Sequence, residues 1–106
     1  MGGRPHRRPR RLAEKLRQIR TGLGLTQEAL VHRLELVDEL DRAQVSDFER
    51  DRRVPSLPVL LAYARSAGVY MDALVDDELD LPDVLPCTPK HPGIKRRRKS
   101  KEDQIF

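Results

Sequence analysis

Residues 42–53, RAQVSDFERDRR, gather the side chains best suited to directional hydrogen bonding. Read as a helix over residues 42–50, the segment turns Val45 and Phe48 inward at i, i+3 and leaves Arg42, Ala43, Gln44 and Asp47 on the other face as candidate base contacts. A helix fits a DNA major groove about 12 Å wide, where an Arg reaches O6 and N7 of guanine and a Gln pairs with N6 and N7 of adenine. Arg42 and Gln44 have those two side chains. Asp47 is open between accepting from a cytosine amine and standing as a solvated acid or an intrahelical partner of Arg50. Arg50, Arg52 and Arg53 come directly after, and Arg20 lies upstream, as guanidinium groups for phosphate oxygens. For Arg20 and Arg53 the other reading is an ion pair with Glu49. Glu49 itself reads as structural, because a carboxylate facing phosphate would repel it.

No comparable set supports catalysis. The carboxylates of residues 76–83, DDELDLPD, have no nearby His and no glycine-rich phosphate loop, so they read as a solvated acidic cap. They also lack the alternating ligands around a central Gly that a calcium loop needs. His6, His32 and His91 are far apart, which leaves no metal set, and the single Cys87 has no partner for an intramolecular disulfide. The residues therefore point away from an enzyme and imply no metal, cofactor or small-molecule ligand. One cysteine and no readable secretion signal fit a cytoplasmic, nucleoid-associated location. The longest apolar run, residues 59–64, is far short of the roughly 20 residues of a membrane span.

Those candidate side chains need a scaffold, and 106 residues suit one domain. With 38% hydrophobic, 36% charged and 4% aromatic residues, its core must be small and aliphatic. Charge is segregated along the chain. Residues 1–11 carry five arginines and no acid, and residues 87–106 carry seven bases against two acids, so each end is at +5. Residues 12–86 hold nine bases and fifteen acids, a net −6. Nine of those acids fall in residues 35–41 and 72–80.

The pattern predicts an all-α, compact bundle of about five short helices with disordered basic N- and C-terminal arms. Residues 1–11 form a flexible arm with Arg7, Arg8, Arg10 and Arg11. Residues 12–83 form the helical domain, and residues 84–106 a tail, first Pro-rich and then basic through Arg96, Arg97 and Arg98. Leu12, Leu16, Ile19 and Leu23 recur at helical spacing, and Gly22 and Gly24 mark the exit. Thr26 stands as the N-cap of a second helix over about residues 27–35. The acidic link after it, with Leu36, Val37 and Leu40, reads as a packed, longer-than-minimal connection. Asp41 caps the third helix, and Pro55 ends the segment beyond it. Ser56 is the expected cap of a fourth helix with Leu57, Leu60, Leu61, Ala64 and Ala67 inward, closed by Gly68. Met71, Leu74 and Val75 mark a short fifth helix.

The strings GLGLTQEAL and QVSDFERDRRVPSLPVLLAYARSAGV resemble the phage-repressor, Xre/Cro-like (lambda-repressor-like) helix-turn-helix family of bacterial DNA-binding proteins, over about residues 12–77. The resemblance implies a helix-turn-helix within the bundle, double-stranded DNA as partner, and Gln27 as a DNA-backbone contact, which joins Thr26, Arg20, Arg50 and Arg53 in that role; so small a core would also gain from a homodimer. The chain departs from that pattern in three places. Val31 stands where a small residue is usual and Glu35 where a turn Gly is usual, both tolerable if a longer link changes how the helices approach. The link before the third helix looks about four residues longer than the common pattern, and the family's ERG reads Glu49, Arg50, Asp51. The function so implied is sequence-specific transcriptional regulation through helix 42–50, with the arms adding phosphate contacts. The alternative is an antitoxin-like protein-interaction module that binds a basic partner through its acidic surface. For the tail run KRRRKSK, a solvated end or a nuclear-import address is also open.

Overall fold

The computed structural model describes residues 9–87, so the expectations for Arg7, Arg8, Arg96, Arg97 and Arg98 lie outside the described residues. Five helices occur in order: α1 (Leu12–Gly22), α2 (Gln27–Arg33), α3 (Arg42–Glu49), α4 (Leu57–Ala67) and α5 (Met71–Val75). No strand occurs among the described residues. Leu12, Leu16 and Ile19 of α1 are buried against Leu30, Val31, Val45, Phe48, Leu60, Tyr63, Ala64, Ala67 and Leu74. The apolar stripe of α1 is the surface against which α3, α4 and α5 pack, while α2 packs on α3.

The start of α1 and the segment at the end of α5 are clasped together. Arg11 occupies the N-cap position of α1 and makes no side-chain capping bond. The orphan donors there are satisfied from a distance: the Asp77 carboxylate accepts from the Arg10 and Arg11 amides, each at 3.0 Å. The Arg11 guanidinium donates to the Asp77 carbonyl at 2.8 Å and to Asp80 at 2.6 Å. In return, Lys15 Nζ donates to the Ala73 and Asp76 carbonyls at 2.8 and 2.7 Å, closing the C-terminal end of α5. Lys15 is fully buried, and burial lowers its pKa, with Arg11 as the next cause. Arg10 and Arg11 thus belong to the packed domain, contrary to the expected free arm. The acids at residues 76–80 are likewise not simply solvated.

The link between α2 and α3 is packed, as expected. Leu34 and Leu40 are buried and Leu36 is half-buried, while Val37, Asp38 and Glu39 form an exposed tip. The Leu36 carbonyl accepts from the Glu39 and Leu40 amides, which makes the added residues a compact turn. Their length does not relax the end of α2. Glu35 sits at φ 60°, and Asp51 after α3 has the same value, so both non-glycine residues hold left-handed backbone. The expectation that a longer link would accommodate Glu35 is corrected, because the turn stays tight while Leu34 and Leu36 pack.

In α4 the buried face is Leu60, Tyr63, Ala64 and Ala67. Leu57 is 72% exposed and Leu61 only half-buried, so the inward expectation for both is corrected by a shift of the helix face toward Tyr63. Ser56 stands at the N-cap but makes no side-chain capping bond, and Gly68 closes the helix at φ 74°. Val75 of α5 is exposed rather than inward. The chain then runs on past residue 83, where the prolines suggested that the domain ends. Leu81 is buried, Leu85 packs against the core, and the Cys87 amide donates to the Ala67 carbonyl at 2.9 Å.

Two measurements test these contacts. Glu35→Gly removes left-handed strain of about 1–2 kcal/mol and returns part of it as chain entropy, so urea unfolding is expected to show a gain of about 0.5–1 kcal/mol. An unchanged midpoint would contradict the strained turn. The two backbone amides that bind Asp77 hold its carboxyl below the usual carboxylate range. The unfolded chain binds that proton more readily, so the stabilisation present above about pH 4 is lost as pH falls through the folded value. Asp77→Asn is expected to flatten that acid limb in thermal melts recorded from pH 5 downward.

Candidate nucleic-acid interface

The side chains around α3 fall into an inner, paired group and an outer, open group. Arg20 near the end of α1 forms the centre of the first. Its Nε donates to Glu49 Oε2 at 2.7 Å, its second guanidinium nitrogen to Glu49 Oε1 at 3.1 Å, and its third to the Leu25 carbonyl at 2.9 Å. The Glu49 side chain is 5% exposed and that of Arg20 17%, so the fork is largely withdrawn from water. Hydrogen bonding to Glu49 raises the Arg20 pKa further above its already high value, against the effect of burial. Gln27 Nε2 joins the same carboxylate at 3.3 Å. One acid therefore ties α1, α2 and α3 together.

This placement gives internal partners to two of the expected backbone contacts. Arg20 takes the alternative reading, the ion pair with Glu49, and all three of its nitrogens are engaged. Gln27 spends its amide nitrogen on the same acid. Thr26 acts as the N-cap of α2, with its hydroxyl oxygen accepting from the Ala29 amide at 3.0 Å. Beneath the pair lies the fully buried Tyr63, whose hydroxyl has no hydrogen-bond partner. Its pKa is pushed strongly up, first by burial and then by the Glu49 charge.

The outer group is carried by α3. Val45 and Phe48 are buried and fix the rotation of the helix, which leaves Arg42 and Ala43 exposed and Asp47 half-exposed. Arg42 takes the first position of α3, where the helix dipole opposes a cation by about 0.3–1 kcal/mol. No ion pair to a described residue compensates it. Gln44 is more constrained than its sequence suggested. Asp41 Oδ1 accepts from the Gln44 amide at 2.9 Å while Gln44 Oε1 accepts from the Asp41 amide at 3.0 Å, a reciprocal capping box. Bidentate pairing with adenine needs both amide groups, so a closed box leaves only Nε2 to read a base. The pattern D-x-x-Q in residues 41–44 carries this signal in the sequence.

Arg50 is the C-cap of α3, and Arg50, Arg52 and Arg53 are exposed beyond it. Asp47 forms no ion pair with Arg50 among the described residues, so that reading of Asp47 is not realised. The open side of α3 thus combines hydrogen-bonding groups at its start with a cluster of guanidinium groups at its end. No group of three His, Cys, Asp or Glu among the described residues can hold a metal ion.

The family described as "Helix-turn-helix domain" matches residues 11–77, the span from the clasped start of α1 to the acids that hold it. No curated protein and no solved structure matches the chain.

Removing one partner of the Arg20–Glu49 fork strands the other in a site that water reaches poorly. Glu49→Ala is expected to cost about 3 kcal/mol in urea unfolding, and Arg20→Ala a similar amount, with losses that do not add in the double variant. A free, DNA-directed Arg20 would instead leave stability unchanged on substitution.

Proposed function

We propose that this chain, which belongs to the helix-turn-helix domain family, is a sequence-specific DNA-binding transcriptional regulator of the phage-repressor type, acting as a homodimer on double-stranded DNA. The observation that carries this reading is the division of labour along α3. Its inner residues are locked into the core and its last acid is locked to α1 and α2, yet its outer face presents unpaired polar groups. Arg42 is the principal base contact: it stands at the groove-entering end, unpaired, in a place the helix dipole disfavours. Ala43 and Asp47 share that face, and Gln44 contributes its amide nitrogen. Arg50 and Arg53 hold phosphates beside the groove. Thr26 and Gln27 add backbone contacts through the atoms that capping and Glu49 leave open. Arg20 serves by orienting, since Glu49 fixes its guanidinium.

Selection from random duplexes by the full chain is expected to yield one short motif, repeated with two-fold symmetry. On that motif, Arg42→Ala costs about 1–3 kcal/mol and relaxes preference at a single base position. Arg53→Ala weakens every sequence alike and lowers the dependence of log K on log salt by about 1. Equal losses on all sequences for Arg42→Ala would remove α3 from the reading role. A chain that selects no motif but captures a basic protein partner would favour the antitoxin-like alternative.

A further inference from the structure

Gln44 stands in the first turn of α3 with one of its two amide groups already engaged. Its Oε1 accepts from the Asp41 amide at 3.0 Å, while Asp41 Oδ1 accepts from the Gln44 amide at 2.9 Å. The oxygen is thereby turned back onto the start of its own helix. Val45 and Phe48 are buried and fix the rotation of α3, so the amide cannot swing round with the helix. Bidentate pairing with N6 and N7 of adenine would have to open the capping box and release an orphan donor that the helix start has satisfied. What remains is Nε2, which donates to no described residue. Arg42, two positions earlier, carries donors and no acceptor at all. Both polar side chains in the first turn of α3 therefore offer donors outward.

The bases differ in what their major-groove edges return to a lone donor. Guanine shows two acceptors, N7 and O6, and thymine shows O4 alone beside its methyl group. Adenine sets its N6 amine beside N7, and cytosine shows only an amine. An amine facing Nε2 leaves two donors unpaired against each other, and a polar group stranded in this way costs more than the bond it fails to make. We propose that the capping box makes Gln44 a guanine-reading residue, in place of the adenine that an unconstrained glutamine pairs with. The half-site then holds a second guanine besides the one that Arg42 contacts. This rests on α3 being the helix that reads DNA. The box thus acts on specificity as well as on the helix end, because it decides which of the two amide groups meets a base.

Selection from random duplexes by the full-length native chain and by Gln44→Glu tests this. Glu keeps the box, since a carboxylate oxygen still accepts from the Asp41 amide, and an acid in the first turn suits the helix dipole. The melting temperature of the variant is therefore expected to match or exceed the native one. Only the outward group changes, from donor to acceptor. The native motif is expected to hold guanine at a position that Arg42→Ala leaves alone, and Gln44→Glu is expected to convert that guanine to cytosine, whose N4 amine donates. Adenine in place of that guanine is expected to weaken the native chain about 10-fold. Any base other than guanine in the native motif at the position that Gln44→Glu alters overturns the proposal. A motif that Gln44→Glu leaves unchanged throughout also overturns it, because Gln44 is then a cap alone. In both cases α3 still selects its motif, whereas a full chain that selects none removes the reading of α3 and this assignment with it.

Discussion

The Glu49 carboxylate is the constraint on which the candidate surface depends. It receives two bonds from Arg20 of α1 and one from Gln27 of α2, and it lies at the end of α3. Three helices are thereby fixed relative to one another by a bidentate fork, whose planar geometry tolerates little rotation. A charged pair this far from water gives less net stability than its short distances suggest, because desolvation offsets much of the attraction. Its contribution is orientation. The outer face of α3 can be presented reproducibly because its last turn cannot rotate without separating Arg20 from Glu49.

The same economy governs the rest of the charge. The net −6 of residues 12–86 suggests a repulsive surface, yet Asp77 and Asp80 are bound to the Arg10–Arg11 segment and the ends of α1 and α5 exchange hydrogen bonds. Lys15 completes the clasp with two backbone carbonyls instead of a carboxylate, so its buried charge is satisfied by dipoles. These contacts join segments nearly seventy residues apart and close a small core that a few aliphatic side chains alone would hold weakly. Acids left outside such pairing include Glu35, Asp38 and Glu39 of the link before α3, all exposed.

The helices were legible because their signals are local. The stripe of Leu12, Leu16 and Ile19, the caps Thr26 and Asp41 and the left-handed Gly68 each act within a turn or two, and each sits where the residues imply. The features that escaped were long-range or depended on which atoms a side chain had already spent. Asp77 reaching Arg11 leaves no periodic trace, so the arm and the acidic cap looked independent. Tyr63 entered the core because α4 turned by part of a helical step, which left Leu57 outside. Gln44 carries the right groups for adenine, and only the geometry of the cap shows its oxygen in use. Leu85 looked like tail because the prolines around it forbid a helix, but a chain without regular structure can still pack.

A surface that reads sequence needs its specific contacts to outweigh its attraction to any duplex. The link ahead of α3 brings Asp38, Glu39 and Asp41 into the few residues before Arg42, at the N-terminal end of α3. On the proposed reading, those carboxylates would oppose phosphates in every register, whereas bonds from Arg42 to bases would form in only one. Repulsion of this kind lowers affinity for all sequences together and leaves the difference between right and wrong sites intact. The longer link therefore has a physical consequence beyond spacing. On the proposed reading of α3, it would make the domain selective at the expense of affinity for duplexes at large.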